Sequence, residues 1–130
     1  MKRPEPDDDR RPEVIVDFAC ADGLLFVTLR NIGARSAYRV TTRFDKPFRG
    51  VDGSKRISDL SLFKRVEFIP PGKEFAQLID PLPVYFRRRE PTRLTATIEY
   101  RDREGRQFQE SITHDLRIYR DLGTIRLQRE

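Results

Sequence analysis

Apolar and polar residues alternate in short runs along most of this chain, and turn residues punctuate the runs. From Leu24 to Asn31, Leu25, Val27 and Leu29 share one face while Phe26, Thr28 and Arg30 share the other. This period of two marks a half-buried strand. Thr92 to Arg101 repeats it, with Leu94, Ala96, Ile98 and Tyr100 inward and Thr95, Thr97, Glu99 and Arg101 outward. An earlier run opens with Val14, Val16 and Phe18 on one face. A third places Tyr38, Val40, Thr42 and Phe44 together, with Arg39, Thr41 and Arg43 opposite. Further strands are expected over 65–69, 73–79 and 106–118, where Phe108, Ile112 and Leu116 would point inward, interrupted by Glu110 and His114.

The punctuation agrees with these runs. Asp22-Gly23, Asn31-Ile32-Gly33, Pro70-Pro71-Gly72 and Asp102-Arg103-Glu104-Gly105 are turn sequences, because Gly and Asn tolerate positive φ and Pro interrupts a ladder. Residues 49–56 read as a loop or weak edge hairpin. Ile57, Leu60 and Phe63 fall at helical spacing, which predicts at most a short helical turn near 58–63. Short strands with turn signals every ~8–12 residues predict an all-β fold, an immunoglobulin-like antiparallel β-sandwich of about seven strands. The expected organisation is a disordered N-terminal tail over 1–12, one sandwich domain over 13–119, and a charged C-terminal tail over 120–130. Leu122, Ile125 and Leu127 offer that tail a last edge contact.

Composition changes the picture in one respect. Apolar residues are 37% and charged residues 36% of the 130, against roughly 45–50% and 25% in ordinary domains. The core is therefore modest and the surface heavily charged, though nine Phe and four Tyr provide large core side chains. A net charge of +5 favours an anionic partner. One cysteine, Cys20, excludes an intramolecular disulfide and a multi-cysteine zinc site, and suits a reducing compartment. Neither an apolar leader nor a run of ~18 apolar residues is present. The expectation is a cytoplasmic protein with no membrane span, although a soluble portion of an anchored protein would have the same character.

The segment Val27-Thr28-Leu29-Arg30-Asn31-Ile32-Gly33-Ala34-Arg35-Ser36-Ala37-Tyr38-Arg39-Val40 resembles the Asn-x-Gly hairpin of bacterial immunoglobulin-like domains, including the cell-adhesion-related CARDB type. Ile69-Pro70-Pro71-Gly72 resembles their Pro-Gly corner. Tyr100-Arg101-Asp102-Arg103-Glu104-Gly105-Arg106-Gln107-Phe108 resembles their closing hairpin. The resemblance covers residues 14–119 and implies an interaction or spacer module. Such domains are commonly exported, whereas this chain shows no export signal.

Candidate chemistry is sparse. Asp7-Asp8-Asp9 lacks the loop that a calcium site requires. His114-Asp115 with Ser111 or Ser61 lacks a nucleophile elbow, and Ser111 faces away from His114. No glycine-rich phosphate loop occurs. No catalytic, cofactor or metal residues are assigned, and the protein is read as a non-enzyme. The densest basic patch is Arg87, Arg88 and Arg89, with Tyr85 and Phe86 before it and Arg93 after it. Aromatics interleaved with arginines can track phosphates and stack bases. The bland reading is a solvated linker whose aromatics plug the sandwich end. Phe26 beside Arg30 is a candidate exposed interface. The leading function is a protein-interaction or scaffolding module. The alternative is a basic adaptor that contacts nucleic acid or another polyanion through residues 85–93.

Overall fold

The computed structural model describes residues 10–120, in which strands dominate. Strand β1 spans Val14–Ala21, β2 Leu24–Asn31, β3 Ala37–Phe44, β4 Arg49–Gly50 and β5 Lys55–Arg56. A 3-10 turn at Ile57–Asp59 and a single α-turn, α1 (Ser61–Lys64), lead into β6 (Val66–Ile69) and β7 (Glu74–Pro81). Helix α2 (Leu82–Arg87) precedes β8 (Arg93–Arg101) and β9 (Gln107–Asp115). Asp7–Asp9 and the edge contact expected of Leu122, Ile125 and Leu127 lie outside the described residues.

Seven of the strands form two antiparallel sheets, ordered β1-β2-β7 and β6-β3-β8-β9, and β4-β5 is a separate two-residue ladder. Inward side chains of both sheets make one apolar layer. Val14, Val16, Phe18, Leu25, Val27 and Leu29 come from the first sheet, and Val40, Leu94, Ala96, Ile98 and Tyr100 from the second. This is an all-β sandwich, with the alternation read from the sequence in β1, β2 and β8. The fourth of the seven strands, β6, pairs with β3. In constant-type immunoglobulin domains the fourth strand lies beside the fifth.

Strand β3 departs from strict alternation. Its register with β8 runs from Tyr38↔Arg101 to Thr41↔Glu99, so Arg39 and Val40 together face Tyr100. The extra residue is a β-bulge, and Arg39 occupies it with φ +54°. The bulge turns Tyr38 away from the core face expected for it. Its ring instead packs on Phe68 of β6, with centroids 5.4 Å apart. Ala37 takes the buried position.

The start of the domain is closely fitted. Pro12 is buried and Arg11 O accepts from Ala34 N at 3.1 Å. A Cβ on Gly33 would collide with Arg11 O and Glu13 N, so only glycine fits there. At the other edge, His114 Nε2 donates to Val16 O (2.9 Å) and its ring packs on Phe18. Glu110, on the same strand, accepts from Tyr100 Oη at 2.6 Å. Among the described residues no helix is long and apolar enough to cross a membrane.

Candidate functional site

The basic segment over 85–93 is built differently from the loop expected. Tyr85, Phe86 and Arg87 belong to α2, which Pro83 near its N-terminus favours. Tyr85 is fully buried and its hydroxyl donates to Pro91 O at 2.6 Å. Burial, with Glu90 nearby, pushes its pKa well above the ordinary tyrosine range. Phe86 is half-buried, with the Arg120 guanidinium 4.6 Å from its ring centre. The aromatics therefore plug the sandwich end, as the blander reading had it.

Arg88 is a clamp. Its Nη1 donates to Asp80 Oδ2 (2.8 Å), its Nη2 to Arg49 O (2.8 Å) and its Nε to Glu90 Oε2 (3.4 Å). Asp80, whose side chain is 1% exposed, accepts Asp52 N on its other oxygen (2.7 Å). Glu90 likewise accepts Arg49 N (3.0 Å). Burial opposes the charge on Arg88, but the hydrogen bond and charge of Asp80, backed by Glu90, outweigh it and raise its pKa. The cluster fastens the β4–β5 hairpin to the end of α2. A Cβ on Gly50 would come within 2.6 Å of Ile79 O, so glycine allows the hairpin to lie against β7. Tyr85 and Arg88 are thus committed to the fold, whereas Arg87, Arg89 and Arg93 keep exposed side chains.

Phe26 and Arg30 do face outward from the three-stranded sheet. Phe26 is half-buried between Ala19 of β1 and Leu78 of β7, its partners in register. Leu78 is 39% exposed. Arg30 is exposed, between Ile15 and Glu74.

A second surface, which the sequence reading did not assemble, lies on the outer face of β6-β3-β8-β9. A groove of about 460 Å³ crosses β3, β8 and β9 and reaches Arg65 just before β6; Arg39, Thr41, Arg101, Gln107 and Gln109 also line it, as does Glu99. Arg43 pairs with Glu99 at 3.5 Å and Arg65 with Glu67 at 2.8 Å, all of them well exposed. Arg39 and Arg101 have no ion-pair partner among the described residues. The neighbouring outer face is polar, with hydroxyl pairs Thr95–Thr113 (2.8 Å) and Thr97–Ser111 (3.0 Å).

A second cleft, of about 570 Å³, adjoins it where the β2–β3, β6–β7 and β8–β9 loops meet. Arg10, Arg35, Tyr38, Pro71 and Arg103 line it. Asp102 also lines it: burial raises the Asp102 pKa, but hydrogen bonds from the Arg106 backbone and guanidinium outweigh that and lower it. Phe68, 49% exposed, stands beside Tyr38 at this corner. The one sequence signal was Arg39 and Arg43, four residues apart and assigned to one face of β3. They could extend the 85–93 patch only if the fold brought them close to it. Arg39 instead lies opposite Tyr100, seven residues and roughly 23 Å along β8 from Arg93.

Among the described residues no three His, Cys, Asp or Glu side chains come together in a way that could hold a metal ion. Cys20 is a free, half-buried thiol packed against the core. No curated protein and no solved structure matches the chain. A family model described as "Domain of unknown function (DUF8453)" matches residues 2–120, and the chain belongs to that family.

Proposed function

We propose that this domain is a non-enzymatic protein-interaction module of the immunoglobulin-like type. Its working surface is the corner of the four-stranded sheet where β3 meets β6. One observation carries the reading: the Tyr38–Phe68 aromatic pair, half open to solvent, stands next to Arg39 and Arg101, neither of which has an ion-pair partner among the described residues. Aromatic side chains and arginine are the residues enriched at the energetic centres of protein interfaces. The resemblance to bacterial immunoglobulin-like domains points the same way. The free thiol of Cys20 suits work in the reducing cytoplasm.

A photo-crosslinking residue introduced at Phe68, and separately at Leu78, tests this in cells that express the chain. An adduct of defined mass formed from position 68 and absent from position 78 is expected. No adduct at 68, or the same adducts at both positions, would contradict it.

A further inference from the structure

Resting on that reading, we infer that the groove across β3, β8 and β9 takes an extended acidic protein segment with carboxylates two residues apart. The first support is charge. Arg39 and Arg101 project from adjacent strands into one groove with no carboxylate paired to either among the described residues, and Arg65 stands at its β6 end. Guanidinium forks match carboxylates in two-bond geometry.

Spacing is the second. Neighbouring strands lie ~4.8 Å apart, so backbone positions on the β6 side, β3 and β8 span ~10 Å. Alternate side chains of an extended chain recur every ~6.8 Å on one face, within the reach of long arginine side chains. Gln107, Gln109 and Thr41 offer hydrogen bonds between the charges.

Backbone conformation is the third. Arg39 holds φ +54° in the bulge, a conformation in which glycine carries no steric penalty. A bulge re-aims its side chain, and here it delivers a long cation to the outer face.

Nucleic acid is the competing ligand, and the groove gives it no stacking platform. Phe108, the aromatic nearest Gln107 and Gln109, is already stacked on Tyr100 at 5.5 Å. The guanidiniums of Arg11 and Arg106 also lie within 6 Å of its ring centre.

The test uses the full chain and a fluorescent peptide alternating Glu and Ala, against the same peptide with Gln for Glu and a short oligothymidylate. The Glu peptide should bind at least about tenfold tighter than the Gln peptide, and Arg39→Gly and Arg101→Gln should each weaken it at least about fivefold. Arg39→Gly should not lower Tm, since the bulge accepts glycine. Binding unchanged by both substitutions, weakening that tracks loss of Tm, or tighter binding of oligothymidylate would each overturn the inference. An adduct at position 68 that persists in the Arg39→Gly/Arg101→Gln chain would leave the interaction reading standing and remove the acidic segment. Absence of that adduct from the parent chain would remove the interaction reading itself.

Discussion

Asn31 is fully buried, and both ends of its amide are used. Its Nδ2 donates to Arg35 O (2.7 Å) and Ile69 O (2.9 Å), while its Oδ1 accepts from Glu13 N (3.2 Å) and Gly33 N (2.9 Å). One side chain thus ties the end of β2 to β6 in the opposite sheet and to the start of β1. Here the Asn-x-Gly signature has a physical reason: Asn31 closes the loop and Gly33 lets the chain start pass. Thr42 is the opposite case, since its Oγ1 is buried without a hydrogen-bond partner among the described residues. An unmet buried polar group costs roughly 1–3 kcal/mol. Asn31→Ala, which strands several such groups, should therefore destabilise by about 3 kcal/mol or more. Thr42→Val, which removes one, should stabilise by about 1 kcal/mol. Urea unfolding of both variants should move the midpoint in opposite directions, and movement in the same direction would contradict this account.

The β4–β5 hairpin and α2 are short elements that hold their places through the Arg88 cluster. Val51 and Asp52 sit at the hairpin tip with φ +54° and +55°, an uncomfortable conformation for a β-branched residue. The hairpin persists because Asp80 holds Asp52 in its turn and Arg88 holds Arg49 of β4. Arg88→Ala should leave Asp80 buried without its cation and cost about 3 kcal/mol. Amide exchange in residues 49–56 should accelerate more than in β2 or β8. Arg88→Lys should rescue little, because one ammonium cannot serve Asp80, Glu90 and Arg49 O together. Uniform acceleration across the domain would contradict the clamp.

None of this cluster was legible in the sequence. Its members are scattered from Arg49 to Glu90, and Arg88 looked like one of three equivalent arginines. The strands β2 and β8 were legible, because alternation is a local property that burial on one side enforces. The bulge at Arg39 was not, since no glycine marked it. Nor was the sheet to which β6 belongs, which is set by long-range pairing with Ala37, Tyr38 and Val40.

At the scale of the whole molecule, the sandwich has two dissimilar outer faces. The three-stranded sheet shows a small apolar patch around Phe26 and Leu78, flanked by Arg30 and Glu74. The four-stranded sheet shows arginine, glutamine and hydroxyl groups, with aromatics at one corner. The net charge of +5 over the chain is therefore less informative than its placement. Arginines gather at the Arg101 end of β8, on the sheet and in the adjoining loops, while the basic run read from the sequence lies at the other end, where Arg88 serves the fold. The most direct test is a two-dimensional NMR titration of the nitrogen-15-labelled full chain with the alternating Glu peptide. Shifts confined to residues 39–41, 65–68 and 99–109 are predicted. Shifts centred on Phe26 and Leu78 or on residues 85–93, or no shifts at all, would contradict the account.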